Sequence, residues 1–210
     1  KPKPLVEAAG QPLIWHIMQN FANYGITEFI VLSGYKGQQI REYFANYWLH
    51  QADITFDLAQ KIEGRLIALG VSVFLTRSAS SSPSESERIS FANNTEAYLV
   101  ISLSVDSYPN EKAHGLSTYF YGNDLHGIHS LVGEKFATIV QRELIARTDL
   151  LNTRTHAKTW NLLRLTKAPT VLLEIGYISH PKDASRLADA HFRDVVAEGL
   201  VIAIQRMYLS

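Results

Sequence analysis

Apolar residues along this chain recur in two rhythms. Where they repeat every three to four positions, helices are predicted. One spans residues 12–24, with Leu13, Ile17 and Phe21 on one face and Gly25 as the closing residue. Others are expected over 38–49, where Ile40, Tyr43, Phe44 and Tyr47 group, over 53–69 ahead of Gly70, and over 130–147, 184–188 and 192–209. Short apolar runs bounded by turn residues predict strands at 29–32, 71–76, 98–103, 116–121, 162–166 and 170–175. Residues 77–85 are serine-rich with one proline and read as a loop. Ser84 and Glu87 have the spacing of a capping box, so a helix is expected to start there and run to Asn94.

Strands alternating with helices predict an α/β fold: three layers, with a mostly parallel central sheet and helices on both faces. Such sheets carry functional residues at the carboxyl ends of their strands. That directs attention to Ser33–Gly37, Ser104–Asp106 and Glu174–Ser179. Composition narrows the chemistry. The 210 residues include no cysteine, which excludes disulfides and thiolate metal sites, and any metal would need His and carboxylate ligands. A formal net charge of zero does not favour a nucleic-acid partner. No apolar run reaches the roughly 18 residues of a membrane span. Lys1-Pro2-Lys3-Pro4 is not followed by the apolar stretch of an export signal, and the cytoplasm is the favoured compartment on that ground. Oligomeric state is not encoded in any feature of the sequence.

Five segments, in order, resemble the zinc-dependent N-acetylmuramoyl-L-alanine amidases over residues 53–210. Val71-Ser72-Val73-Phe74-Leu75-Thr76-Arg77 is similar to the family's V-x-L-T-R strand. Glu87-Arg88 through Ala92-Asn93 resembles its L-x-x-R…A-N helix, and 98–106 stands where the family has F-I-S-I-H-x-N. Gly115–Tyr121 resembles G-x-x-x-Y-Y, and 170–179 resembles P-A-V-L-V-E-x-G-F-I-S-N. Residues 1–52 are similar to a different family, the sugar-phosphate nucleotidyltransferases, and among them to glucose-1-phosphate cytidylyltransferase. Gly10-Gln11-Pro12-Leu13-Ile14-Trp15-His16-Ile17-Met18, Gly34-Tyr35-Lys36-Gly37 and Tyr43-Phe44-Ala45-Asn46-Tyr47 carry that similarity. Its phosphate-cradling glycine loop and its Mg²⁺-binding aspartate have no counterpart here. Lys3 is then either a phosphate contact or a solvated terminal lysine. The two similarities meet near 51–58, as a fusion or chimera would, with 29–37 standing in for the amidase's first strand and turn in one compact unit.

The amidase resemblance implies hydrolysis of the muramoyl–L-alanine bond in peptidoglycan. Zinc held by two His and one Glu would activate water, with a further Glu as general base. Laid onto this sequence, the three ligand positions fall on Tyr35, Gln51 and Ser104, none of which suits zinc, while the general base is Glu174. The expectation is therefore no metal cofactor and an impaired or inactive hydrolase. A set rebuilt from His114, His126 and His129 is the alternative. Glu174 reads either as a retained catalytic carboxylate or as a relic bonded to a neighbour such as Arg164. A hydrolase triad built on Ser102 or Ser104 lacks a G-x-S-x-G elbow and is set aside. Arg154, His156, Lys158 and Trp160 suit either an anionic, sugar-bearing partner or a solvated surface. The readings carried forward are an amidase-like domain acting on peptidoglycan or muramoyl-peptide precursors, a metal-free regulatory or precursor-binding relative, and a cytidylyltransferase-related fragment.

Overall fold

A computed structural model of the protein describes residues 3–8, 11–14, 16–17, 54–78, 81, 83–108, 112–123 and 127–208. The chain divides into two compact units, Lys1–Ala52 and Asp53–Ser210. In the first, a 3-10 turn at Lys3–Leu5 leads into a small antiparallel hairpin of β1 (Glu7–Ala8) and β2 (Gln11–Pro12). Helical backbone begins only at 13, because Pro12 belongs to β2 rather than to the helix expected from 12. The expected strand at 29–32 and helix at 38–49, with Tyr35 and Gln51, lie outside the described residues.

The second unit opens with helix α1 (54–68). Ile54, Leu58, Ile62 and Leu66 repeat every four residues and are all buried, so one stripe of α1 faces the core. Its other flank is tied to the last helix through Arg193–Asp57 (2.6 Å) and through Lys61 and Arg65 on Asp194 (3.1 and 3.0 Å). Helix α2 (Glu85–Asn94) starts as expected. The Ser84 hydroxyl accepts the Glu87 amide and the Glu87 carboxylate accepts the Ser84 amide, satisfying two otherwise orphaned donors.

The five-stranded sheet contains β3 (Val100–Asp106), β4 (Leu116–Asn123), β5 (Ile128–His129), β6 (Asn152–Lys158) and β7 (Thr170–Tyr177). The path runs β3-β7-β4-β5, with β6 also paired to β4. β3–β7 and β4–β6 are parallel, but β4–β7 and β4–β5 are antiparallel, so the sheet is mixed rather than mostly parallel. Residues 107–115 are too few for the helical crossover, about a dozen residues or more, that would return the chain parallel. Helices α3 (Leu131–Ile145), α5 (Pro181–Ala188) and α6 (Ala190–Tyr208) complete the unit with the short α4 (Asn161–Leu165).

Alternation sorts each strand's residues between two faces. Val105, Val171, Leu173, Ile175, Leu116 and Phe120 join Phe136, Val140 and Leu144 of α3 and Val196 and Leu200 of α6 in one apolar cluster. Helices α2 and α4, with buried Ala92, Leu162 and Leu163, belong to the other side, giving helices on both faces. One expectation fails. Residues 162–166 are not a strand but most of α4; the strand is β6, just upstream. Past its register shift, its core-facing positions are Thr155 and Ala157 rather than large apolar residues, so no apolar run marks it. Thr153 donates to the Leu116 carbonyl (2.6 Å), and Thr155 and Thr118 share a hydrogen bond (2.9 Å) that replaces apolar contact. Residues 71–76 pair in no sheet among the described residues, although Val71 and Val73 pack on the core while Ser72 and Phe74 are exposed. They show the inside–outside pattern of a strand.

Candidate functional site

Glu174 sits on the sheet face opposite the apolar cluster, in the second half of β7. In register, Ser104 lies beside it on β3 and Ser117 on β4. The carboxylate is held from two directions. Tyr119 Oη donates to Oε2 at 2.8 Å, and Tyr177 Oη donates to the same oxygen at 3.4 Å. Tyr119 reaches it from β4, where Ser117, Tyr119 and Tyr121 alternate with the core-facing Leu116, Thr118 and Phe120. Burial pushes the Glu174 pKa up and the nearby negative charge of Asp106 adds to this, while the Tyr119 hydrogen bond pulls it back. Asp106 is likewise raised by burial, opposed by the Ser107 amide that donates to it at 2.7 Å. The Tyr119 hydroxyl is pushed up to about 12, first by burial and then by Glu174, and Tyr177 is raised by the same causes. Both tyrosines therefore stay protonated donors at neutral pH.

The end of β7 is shaped by a buried carboxylate that sequence reasoning did not single out. Asp183 is fully buried and accepts the amides of Gly115 (2.8 Å) and Tyr177 (3.2 Å) and the Arg186 guanidinium (3.3 Å). Gly176 has φ +117, and a side chain there would start 3.1 Å from Asp183 Oδ2. The position needs glycine for both backbone and space. The Ile-Gly-Tyr run that carried part of the family resemblance thus sets the direction of Tyr177 toward Glu174.

Arg164, expected as a partner of Glu174, instead donates to Asn161 Oδ1 at 3.0 Å on its own helix. Of the histidines weighed as an alternative metal set, His114 and His129 do not meet. His114 precedes β4 and stacks on His180 with ring centroids 4.4 Å apart. His129 pairs with Gly122 near the far end of β4 and forms an ion pair with Glu134 at 3.1 Å. Six residues of strand, roughly 20 Å, separate the two sites. His126 lies outside the described residues. Among the described residues, no group of three or more His, Asp or Glu could hold a metal ion.

The resemblance implies zinc, and the donors around Glu174 do not fit it. Among the described residues they are the hydroxyls of Ser104, Tyr119 and Tyr177, which are not ordinary zinc ligands, and the Asp106 carboxylate, which with Glu174 makes two acids where a zinc site needs three protein ligands. The imidazole on the same face, His156, is hydrogen-bonded to the Thr153 carbonyl at 2.7 Å and stacks on Tyr119. What the arrangement can do is accept: a raised carboxylate beside protonated phenols suits a hydrogen-bond donor, an ammonium group or a proton.

The fold and these segments have known relatives. The family described as N-acetylmuramoyl-L-alanine amidase (Amidase_3) matches residues 37–206. The chain belongs to the N-acetylmuramoyl-L-alanine amidase family. It is 42% identical over 161 residues to N-acetylmuramoyl-L-alanine amidase CwlM of Mycobacterium tuberculosis, a match covering 77% of this chain and 39% of that protein. The chain thus spans well under half of that relative's length. The catalytic domain of the amidase CwlV from Bacillus (Paenibacillus) polymyxa var. colistinus superposes with a TM-score of 0.68 at 26% identity, covering 76% of this chain and 84% of that domain. The amidase AmiC2 of Nostoc punctiforme shares the fold, with a TM-score of 0.69 at 23% identity over 76% of this chain and 85% of its own. A second similarity stands beside the amidase family. Over 60 residues the chain is 55% identical to glucose-1-phosphate cytidylyltransferase of Salmonella typhimurium, covering 29% of this chain and 23% of that enzyme. Among the described residues, no helix is long and apolar enough to cross a membrane.

Proposed function

We propose that this chain is an amidase-family domain of peptidoglycan metabolism that engages muramoyl peptides but does not hydrolyse them by the family's zinc chemistry. The observation that carries this is the setting of Glu174. The carboxylate in the general-base position is present, yet its register neighbour, where the family resemblance calls for a ligand His, is Ser104. The same resemblance puts the other two ligands at Tyr35 and Gln51, a phenol and an amide that bind zinc poorly. Glu174 then has no activated water to deprotonate, and Tyr119 and Tyr177 occupy its acceptor oxygen as they would in a binding site. A metal-free regulatory or precursor-binding role follows from the same facts. The cytidylyltransferase similarity over 60 residues supports a chimeric origin, in which 1–52 replaces the amidase's first strand and turn.

The test is turnover. The purified chain is incubated with N-acetylmuramoyl-L-alanyl-D-isoglutamine and added zinc, and newly released α-amino groups are counted. The proposal expects none above the rate without protein. Release that rises with zinc and disappears in Glu174→Ala would overturn it.

A further inference from the structure

We propose that β6 and the start of α4 form a subsite for a sugar bearing an acidic peptide stem, with the sugar ring laid against Trp160 and the stem carboxylate held by Lys158 and Arg154. The inference rests on the reading above that this domain binds muramoyl peptides, and it names the surface that would bind them. Three observations converge there. The first is a continuous aromatic surface. Tyr119 stacks on His156 (5.6 Å, 29°) and tilts against Trp160 (4.8 Å, 46°), which fixes the indole although Trp160 is 43% exposed. Such faces suit the C–H surface of a pyranose, and the indole N–H supplies a polar handle. The second is charge. Lys158 Nζ lies 5.7 Å over the Trp160 ring, and its flexible stem lets the ammonium turn from the ring to a carboxylate. The exposed residues of β6 are Asn152, Arg154, His156 and Lys158, without an acid among them. The third is backbone geometry. Two steps along β4, from Leu116 to Thr118, oppose three along β6, from Asn152 to Thr155, so β6 bulges by one residue. Arg154 occupies that bulge with φ +73, its amide donating to Asn152 Oδ1 at 3.0 Å. A left-handed non-glycine residue is strained, and such strain concentrates at working sites.

The bulge also decides what kind of occupant fits. A bulged edge bearing Arg and Lys resists the addition of another strand, so this rim is built for a small ligand rather than for β-pairing with a partner chain. Cations beside an aromatic face select an anionic sugar over a neutral one. A muramoyl peptide supplies both halves, a hexose ring and a stem carboxylate. Glu174 lies two strands away on the same face, about 10 Å from β6, within reach of one such ligand.

Calorimetric titrations into the full chain test this with three probes: N-acetylmuramoyl-L-alanyl-D-isoglutamine, neutral N-acetylglucosamine, and the dipeptide without sugar. The muramoyl dipeptide should bind at least roughly tenfold more tightly than either fragment, and less tightly as salt rises. Trp160→Ala should weaken it about tenfold, with Trp160→Phe recovering most of the loss. Lys158→Gln with Arg154→Gln should weaken the muramoyl dipeptide, leave N-acetylglucosamine unchanged and flatten the salt dependence. If Trp160→Ala fails to fold by circular dichroism, the exposed Lys158 and Arg154 substitutions decide. Equal affinity for the neutral sugar, or parent-like binding in these variants, would overturn the subsite while leaving the domain reading intact. No binding at millimolar ligand would overturn the subsite and the muramoyl-binding half of that reading. Zinc-dependent turnover with normal Trp160 sensitivity would overturn only the non-hydrolytic half.

Discussion

Along β7, Val171, Leu173 and Ile175 enter the apolar core, whereas Leu172 and Glu174 lie on the opposite face beside Ser104, Ser117 and Tyr119. The core face is filled by α1, α3 and α6 with interchangeable aliphatic and aromatic side chains. The open face mixes such residues with polar groups, and its tyrosines hold the Glu174 carboxylate by hydrogen bonds. The core face needs only volume and patterning, so it keeps the family's fold at low sequence identity. The open face needs particular atoms at particular positions, so one exchange of a polar side chain there would change its chemistry without disturbing the strand that carries it. Fold and activity can therefore part company along one strand.

Four substitutions sharpen this contrast. The largest effect is expected on the core side. Phe136 is fully buried among β4, α3 and α6, and Phe136→Ala should cost about 3–5 kcal/mol in a urea unfolding curve. Next comes the end of β7, where Asp183→Ala strands the Gly115 and Tyr177 amides and leaves Arg186 without its buried partner, a loss of about 3 kcal/mol.

On the open face the changes should be small and of the opposite sign. Burial raises the folded-state pKa of Glu174, so folding favours its protonated form, and the charged form carries a penalty. That penalty is absent at pH below the ordinary carboxylate value and grows as pH rises through the raised one. Glu174→Gln should therefore match the parent in acid and be more stable, by at most about 1 kcal/mol, at neutral pH. Equal stability at both pH values would show that burial does not burden this carboxylate. The smallest effect is Tyr119→Phe. It removes the hydrogen bond that lowers the Glu174 pKa, so the Glu174 side-chain carbon signal should titrate at higher pH than in the parent, with little change in stability. A titration at lower pH would contradict the assigned geometry.

Much of the core face was legible in the sequence because it is written in periodicity. The Ser84–Glu87 capping box, the α3 stripe and the 170–175 run all appear where expected, with ends shifted by a residue or two. The failures have physical causes. β6 lacks an apolar rhythm because its inward residues are Thr155, hydrogen-bonded to Thr118, and the small Ala157. The antiparallel pairing of β4 with β7 follows from the short connection between β3 and β4, not from a motif. The partners of Glu174 were missed for a related reason. Tyr119 is 55 residues away in sequence and reaches the carboxylate only through strand register, whereas Arg164 was chosen for charge alone and turns to Asn161. Once β4 is known to pair with β7, alternation through Ser117, Tyr119 and Tyr121 identifies the right face.

On the proposed function, this domain keeps the family's fold and Glu174 but holds no zinc. The most direct measurement is the zinc content of the chain after incubation with excess zinc and exhaustive dialysis, read by atomic emission beside Ser104→His. The account predicts far less than one zinc per chain in the parent. One tightly held zinc per parent chain, lost on Glu174→Ala, would contradict it.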